Sequence, residues 1–192
     1  ITTIPYGADL VDQANVELLR PYGLTPDGYS VVIARPEPEN NILEIVAAFS
    51  ERKRNAKLVV LGNYRPETNP YHAQVLSTAS DEVIFPGGIY DSATVGALRF
   101  YATLYVHGHS VGGTNPSLVE AMGASSAVLA HNNHFNQWVA GPQAHYFRTQ
   151  EDCAQAFDEL LSDVSERNHM KQASLKRFKE EFSAELECQK YE

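Results

Sequence analysis

Six short apolar runs alternate with segments of helical spacing along the chain, and this alternation restricts the fold more than any other feature. Each run is short enough and apolar enough to be a buried strand. The runs are Tyr29–Ala34, Lys57–Gly62, Glu82–Phe85, Thr103–His107, Ala127–Ala130 and Ala144–Phe147. Strands that alternate with helices form a mostly parallel sheet with right-handed crossovers. The sequence therefore predicts an α/β fold in which helices cover both faces of that sheet.

The fourth run leads into the stretch His107–Ala124, which passes through two glycines into a segment of helical spacing. Asn115 is a good N-cap and Pro116 suits the first helical position, so we expect the helix to begin there. The backbone N–H groups of Ser117 and Leu118 are then expected to be free. With the help of the helix dipole, they would favour an anion such as phosphate.

Three residues around this helix start refine the expected ligand. Gly112 and Gly113 would let an anion approach the backbone closely, because they carry no side chain. Glu120, about one turn into the helix, would repel phosphate but accept hydrogen bonds from sugar hydroxyls. The layout suits a nucleotide or a nucleotide-sugar better than bare phosphate. A purely structural turn is the alternative, since the loop is neither a Walker loop nor a dinucleotide fingerprint.

Charge and composition exclude several classes of partner. The formal net charge of the 192-residue chain is −9, with no basic stripe, which argues against nucleic-acid polymers and anionic membrane surfaces. Cys153 and Cys188 have neither metal-site nor disulfide spacing, which is typical of a reducing compartment. No apolar run approaches transmembrane length. The chain starts at Ile1 without a methionine, so we expect a piece of a larger protein.

Three stretches of the chain resemble glycosyltransferases of the GT-B fold. Ile4–Asp9 resembles their hinge, and Ala34–Asn41 resembles the opening turn of the donor domain in glycosyltransferase family four. His107–Gly123 resembles the rhamnosyltransferase-like subgroup, which carries His-Gly-His and Gly-Gly-Thr-Asn-Pro-Ser. The resemblance covers almost the whole chain and keeps the order of the motifs. It implies the C-terminal, donor-binding half of such an enzyme, a Rossmann-like three-layer α/β/α domain with C-terminal helices packing on one edge.

The resemblance also implies a division of the chain. Residues 1–28 end in the breakers Pro21, Gly23, Pro26 and Gly28, and that pattern predicts an entry segment or linker with a short helix near Asp12–Arg20. The resemblance identifies this segment as the hinge. Residues 29–165 would form the nucleotide-sugar-binding domain. Residues 166–192 would form a C-terminal helix that packs back on the missing N-terminal domain. We expect its apolar stripe, Leu175, Phe178, Phe182 and Leu186, to await that absent partner.

Site residues follow from the resemblance position by position. Arg35 would contact the donor diphosphate, with a surface salt bridge to Glu37 or Glu39 as the alternative. Asn40 stands where the family usually has a lysine and would hydrogen-bond phosphate. Glu120 matches the second glutamate of the family's paired motif and would bind the ribose, with a helix-dipole role as the alternative. The residues implied to hold sugar and diphosphate are Gly112, Gly113, Thr114, Asn115, Ser117 and Leu118.

The chain departs from the family pattern at the first glutamate of that motif. This glutamate would fall on Gly112, or on Ser110 in the related subgroup, and neither residue is acidic. His109 can replace it as a neutral hydrogen-bonding group, or His107 and His109 can stabilise the loop. The catalytic residue is therefore unassigned, with His109 and Glu120 as candidates.

The histidines also raise the question of a metal. His107, His109, His131 and His134 would converge at the sheet edge, and imidazole is a common zinc ligand. No acidic or cysteine ligand stands at suitable spacing beside them, and GT-B enzymes generally need no chelated metal. We therefore expect no metal and no cofactor.

The resulting hypothesis is the donor-binding domain of a retaining glycosyltransferase. The full enzyme would transfer a hexosyl group, such as rhamnose from dTDP-rhamnose or a UDP-linked sugar, in bacterial surface polysaccharide synthesis. A saccharide or lipid-linked saccharide acceptor would bind through the missing domain, in the cytoplasm at the inner face of the membrane. The isolated chain would bind nucleotide without transferring sugar. A GT-B nucleotide-sugar epimerase and a non-catalytic nucleotide-binding or assembly domain are the alternatives, the latter favoured by the missing glutamate.

Overall fold

A computed structural model describes residues 7–183, and six parallel strands form one sheet within them. The strands are β1 Tyr29–Ile33, β2 Lys57–Leu61, β3 Val83–Ile84, β4 Tyr105–His107, β5 Val128–His131 and β6 His145–Phe147. Their order across the sheet is β3-β2-β1-β4-β5-β6, and every neighbouring pair is parallel. The predicted α/β fold is confirmed, because each apolar run of the sequence coincides with one strand to within two residues at each end.

Seven α-helices lie in the described part of the chain and connect or follow these strands. They are α1 Ile42–Ser50, α2 Pro70–Thr78, α3 Ser92–Phe100, α4 Pro116–Gly123, α5 His134–Ala140, α6 Gln150–Ser162 and α7 Val164–Glu181. Two 3₁₀ helices, Val16–Tyr22 and Pro38–Asn40, precede β1 and α1.

Both faces of the sheet are buried, which explains why its strands are continuous apolar runs. In β1, Val31 belongs to the core beneath α3, α4, α5 and α7, whereas its neighbour Val32 belongs to the core beneath α1, α2 and α6. On the latter face the rings of Phe49 and Phe157 pack edge to face, 5.1 Å apart, and join α1 to α6. The molecule therefore has the three predicted layers.

The segment before β1 differs from the prediction. The short helix expected near Asp12–Arg20 is the 3₁₀ helix Val16–Tyr22, which begins where the side chain of Asn15 accepts a hydrogen bond from the Glu17 amide. Pro21 has no N–H for an α-helical bond, and Gly23 ends the helix in the left-handed region at φ 64°. Of the hinge motif, Ile4–Tyr6 lie outside the described residues.

The apolar stripe of the last helix was wrongly expected to await an absent partner. Phe178 and Phe182 are fully buried in this domain, because α7 packs against α4. Leu175 is half-buried, and Leu186 lies outside the described residues. None of the helices between residues 7 and 183 combines the length and apolar character needed to cross a membrane.

The strand order reverses between β1 and β4. From β1 the chain proceeds to β2 and β3 on one side, and from β4 to β5 and β6 on the other. The helices that follow β1 and β4, α1 and α4, lie on opposite faces of the sheet, and a crevice opens between them at its carboxyl edge. Ligands of open α/β sheets bind in such crevices.

Candidate functional site

A cleft of about 890 Å³ lies at this carboxyl edge. The chain segments that follow β1, β2, β3 and β4 all contribute to its walls. The lining comprises residues 33–37, 61–63, 88–90 and 115–117, with Arg65, Thr68, Asn69, His72, Arg99, His109 and Glu120. Three arginines face two glutamates here, so the formal charge of the lining is positive although the chain carries −9.

Arg35 follows β1 and is exposed in the cleft. Within residues 7–183 it forms no ion pair, so the alternative of a salt bridge with Glu37 or Glu39 is not observed. Arg65, which sequence reasoning missed, is also exposed and lines the same cleft. The site thus presents two guanidinium groups, which suit bidentate contacts to phosphate.

Asn40 does not occupy the position expected of it. Its side chain is 5% exposed and donates a hydrogen bond to the carbonyl oxygen of Arg35 at 2.8 Å. The prediction that it binds phosphate is wrong, because the 3₁₀ turn Pro38–Asn40 directs the amide back onto its own loop. Asn40 therefore shapes the loop that carries Arg35.

The His-Gly-His stretch is fixed by the loop that follows β1. Asn41 donates through Nδ2 to the Gly108 carbonyl at 2.7 Å, and Ser110 donates through both its amide and its hydroxyl to the Glu39 carbonyl. A Cβ atom on Gly108 would lie 2.0 Å from the carbonyl oxygen of Asn40. Only glycine fits this contact, so the exits of β1 and β4 are locked together.

Two asparagines hold the same stretch from the other side. The Nδ2 atoms of Asn133 and Asn136, at the start of α5, each donate to the His109 carbonyl at 2.9 Å. This stretch is therefore anchored through the carbonyls of Gly108 and His109 and through the amide and hydroxyl of Ser110, while the His109 side chain lines the cleft.

The next part of the loop has no such anchors. Among residues 7–183, the backbone N–H groups of Gly112, Gly113 and Thr114 donate no hydrogen bond to the protein. Gly112 lies in the left-handed region at φ 108°, where a side chain would be strained. Gly112 and Gly113 are exposed, Thr114 is half-buried, and all three directly precede Asn115, which lines the cleft. Their amides could therefore meet an anion at its edge.

The start of α4 confirms one prediction and contradicts another. Asn115 is the N-cap and Pro116 the first helical residue, as predicted. The amides of Ser117 and Leu118 are not free, however, because they donate to Oδ1 and to the carbonyl oxygen of Asn115 at 3.0 and 3.1 Å. The Leu118 side chain is also fully buried. The cap itself satisfies the donors that we expected to meet a phosphate.

Glu120 lies at the cleft floor in an ion pair that sequence reasoning did not anticipate. Its Oε2 atom accepts a hydrogen bond from Nη2 of Arg99 at 2.6 Å. The same Nη2 atom lies 3.1 Å from the Ser117 hydroxyl, which is 2.6 Å from the hydroxyl of Tyr105. In the sequence, Arg99 stands out only as a basic residue in the last turn of the helical segment before the fourth apolar run. At such a position a cation ordinarily stabilises the helix dipole.

A column of three rings leads from the core into the cleft. Tyr105 stacks on His107 with centroids 6.0 Å apart, and His107 stacks on His109 at 4.3 Å. Burial lowers the pKa of His107 well below its usual range, and His109 lowers it further. Burial, assisted by the charge of Arg35, lowers the pKa of His109 to about 4. The ring of His109 is therefore a neutral hydrogen-bonding group at neutral pH.

The four histidines do not converge on one point. His107 stacks on Tyr105 on one face of the sheet, whereas His131 packs against Phe147 on the other. Between residues 7 and 183, no three histidine, cysteine, aspartate or glutamate side chains are grouped as they would be around a metal ion.

The structure thus brings together Arg35, His109, Asn115, Ser117 and Glu120 of the predicted set. It adds Arg65 and Arg99, places Gly112–Thr114 beside the cleft, and turns Asn40 and Leu118 away from it.

A doubly wound parallel sheet with a polar cleft at its switch point defines a Rossmann-like α/β domain that binds its ligand at the carboxyl edge. A family model described as glycosyl transferases group 1 matches residues 21–177. The chain therefore belongs to the glycosyl transferases group 1 family. No curated protein matches it in sequence.

Solved structures share the fold at low sequence identity. The chain superposes on the sucrose-phosphate synthase of Thermosynechococcus elongatus with a TM-score of 0.82 and 17% identity, over 98% of this chain and 50% of that one. Anabaena HepE in complex with UDP and glucose gives a TM-score of 0.78 and 13% identity, over 92% and 50%. The chain spans half the length of each of these two proteins.

A third structure matches over nearly its whole length. The C-terminal domain of the glycosyl transferase group 1 family protein LpcC from Francisella tularensis gives a TM-score of 0.77 and 16% identity, over 94% of this chain and 97% of that one. The fold is that of the C-terminal half of a GT-B glycosyltransferase.

Proposed function

We propose that this chain is the nucleotide-sugar-binding half of a retaining glycosyltransferase that transfers a hexosyl group. The observation that carries the proposal is the cleft at the switch point. It joins Arg35 and Arg65, which form no ion pair within residues 7–183, to the carboxylate of Glu120, of which one oxygen accepts no hydrogen bond from the same residues. A nucleoside diphosphate has both a polyanion and ribose hydroxyls, and it matches this pairing of charges. Because HepE was solved with UDP and glucose, we take that structure as support for a nucleoside diphosphate.

In the proposed reaction the domain stabilises the leaving diphosphate. Arg35, Arg65 and the amides of Gly112–Thr114 would meet the negative charge that develops as the bond to the sugar breaks. His109 would act as a neutral hydrogen-bonding group beside the sugar. It would replace the glutamate that the family has at the position of Gly112, or of Ser110 in the related subgroup. Fixed donors of this kind lower the barrier because they need no reorganisation during the reaction.

The finer assignment rests on the His-Gly-His and Gly-Gly-Thr-Asn-Pro-Ser motifs. From them we propose rhamnose, carried by dTDP, as the transferred sugar and a bacterial surface polysaccharide as the product. The acceptor, a saccharide or lipid-linked saccharide, would bind through an N-terminal half, with the whole protein in the cytoplasm at the inner face of the membrane. The isolated 192-residue chain would bind nucleotide and transfer nothing.

Calorimetry with dTDP, UDP and GDP tests the proposal. We expect saturable binding of at least one of them to the 192-residue chain, with dTDP or UDP preferred to GDP. Absence of binding of all three at millimolar concentration would overturn it.

A non-catalytic nucleotide-binding domain is the second candidate, because Ser110 and Gly112 stand where the family has a glutamate. Product analysis of the full-length protein with donor and acceptor separates the two functions. The same assay without acceptor detects an epimerase, the remaining GT-B alternative.

A further inference from the structure

The two carboxylate oxygens of Glu120 have different surroundings. Oε2 accepts the hydrogen bond from Arg99 at 2.6 Å, whereas Oε1 has no donor among residues 7–183. The Glu120 side chain is 37% exposed and lines the cleft. One oxygen is thus held by the protein, and the other is left for a ligand.

Arg99 is the fixed member of this pair. Its side chain is only 9% exposed, and it lies in the last turn of α3, at the floor of the cleft. A guanidinium loses little additional freedom when it is already packed in the core, so it can hold the more exposed carboxylate in one rotamer.

Arg99 also joins Glu120 to the start of α4. Its Nη2 atom reaches the Ser117 hydroxyl at 3.1 Å, and that hydroxyl contacts Tyr105 of β4. The guanidinium therefore joins α3 to α4 directly and reaches β4 through the Ser117 hydroxyl. A side chain held in such a network can set the direction of Glu120 relative to the cleft.

We propose that Arg99 is a positioning residue that directs Oε1 of Glu120 at the ribose hydroxyls of the bound nucleotide. This inference rests on the proposed function, since it concerns how the same cleft recognises its donor. Arg99 touches no ligand itself in this arrangement. Its effect is confined to ligands that carry the hydroxyl groups.

The test compares matched ligands on one protein. We measure by calorimetry the affinities of UDP and of 2′,3′-dideoxyuridine diphosphate, or of dTDP and its 3′-deoxy analogue if the wild type prefers thymine. A hydrogen bond to a charged group predicts that the wild type favours the hydroxyl-bearing ligand by about tenfold or more. The ratio of the two affinities, hydroxyl-bearing ligand over deoxy analogue, should fall to within about twofold of unity in Arg99→Met. The same value is expected for Glu120→Gln.

A double-mutant cycle and a second substitution sharpen the result. In the Glu120→Gln background, Arg99→Met should leave the ratio unchanged, because the two residues act through one contact. Arg99→Lys keeps a buried cation and should fold even if Arg99→Met does not. It is expected to reduce the ratio only in part, because lysine lacks the planar fork.

Arg167→Met is the matched control. Arg167 is 8% exposed like Arg99, but it donates to the carbonyls of Leu160 and Leu161, away from the cleft. It should lower the melting temperature and leave the ratio at the wild-type value. If Arg99 has only a structural role, Arg99→Met should likewise lower the melting temperature and leave the affinity ratio unchanged.

The outcomes separate this inference from the proposed function. If the wild type binds no nucleotide, the proposed function is wrong and the inference fails with it. If the wild type binds both ligands equally, or if Arg99→Met and Arg99→Lys retain the wild-type ratio, only the positioning role is overturned. A loss of the ratio in Arg167→Met equal to that in Arg99→Met would also overturn it.

Discussion

The rings of His107 and His109 stack with their centroids 4.3 Å apart and their planes 11° from parallel. Both ring nitrogens of His107, and Nδ1 of His109, are buried without a partner among residues 7–183. Two stacked imidazoles with unsatisfied nitrogens disfavour protonation of either ring. The pair is therefore stable only while both rings are neutral.

Acidification is expected to destabilise the chain through this pair. The pKa of His109 is lowered to about 4 by burial, so the folded chain binds fewer protons than the unfolded one below pH about 6.5. The stability is fully present above that pH and is lost as the pH falls toward 4, at up to about 1.4 kcal/mol per pH unit for each histidine. Urea unfolding across this range should show a smaller loss for His109→Gln than for the wild type.

His169→Gln provides the control, because His169 is exposed on α7. It should lose stability on acidification as the wild type does. If the wild type and His109→Gln lose the same unfolding free energy on acidification, the stacked pair does not determine the pH dependence of stability in this range.

Replacing Arg35 by glutamine should weaken nucleoside diphosphate binding by about tenfold or more, because a charge-assisted contact to phosphate is worth about 1.5–3 kcal/mol. Arg65→Gln should act in the same direction. Both effects should shrink from UDP to UMP and vanish for uridine in calorimetric titrations. Arg20→Gln is the control, since this arginine is 86% exposed outside the cleft. Equal weakening of uridine and UDP would exclude a phosphate role.

The glycines of the loop should differ sharply in their tolerance of alanine. Gly108→Ala would place Cβ 2.0 Å from Asn40 O and 2.8 Å from Ile45 Cδ1, so we expect a loss of about 3 kcal/mol in unfolding free energy. Gly113 has no atom within 4 Å of its Cβ position and no positive φ, so Gly113→Ala should change stability by less than about 0.5 kcal/mol. Denaturant unfolding of both variants measures the contrast. Similar values for the two would contradict the close contact at Gly108.

Removal of the α4 cap should have a moderate cost. Asn115→Ala leaves the Ser117 amide without its acceptor and is expected to lower the free energy of unfolding by about 1 kcal/mol. Asn115→Ser keeps a capping oxygen and should remain close to the wild type. If both variants lose the same amount in chemical denaturation, the side chain of Asn115 contributes by some route other than the cap.

The fold could be predicted from the sequence because its determinants are local. Apolar runs such as Lys57–Leu61 are buried on both faces, and each is separated from the next by a segment of helical length. The start of α4 was also predictable, since Asn115 and Pro116 act on the backbone beside them. The short helix expected near Asp12–Arg20 is present as the 3₁₀ helix Val16–Tyr22, and the proline at position 21 is an equally local reason for its shorter hydrogen-bond pattern.

The site could be predicted only in part, because its contacts join distant residues. Arg99 and Glu120 are 21 positions apart on different helices, and no periodicity pairs them. The direction of the Asn40 side chain depends on a turn that the spacing of residues does not specify. At Asn115 the sequence predicted both a cap and free amides, although the first excludes the second. At Gly112 the backbone has φ 108°, so a glutamate there would require a different loop and not only a different side chain.

The close contact between Gly108 and Asn40 limits how this domain can be re-engineered. A loop grafted after β1 from a relative would bring its own carbonyl oxygen to the position that Gly108 now accommodates. It would also replace the Asn41 amide and the Glu39 carbonyl, which hydrogen-bond to the loop after β4. The two loops therefore form one exchangeable cassette. A chimera with altered donor preference should import both halves from the same parent.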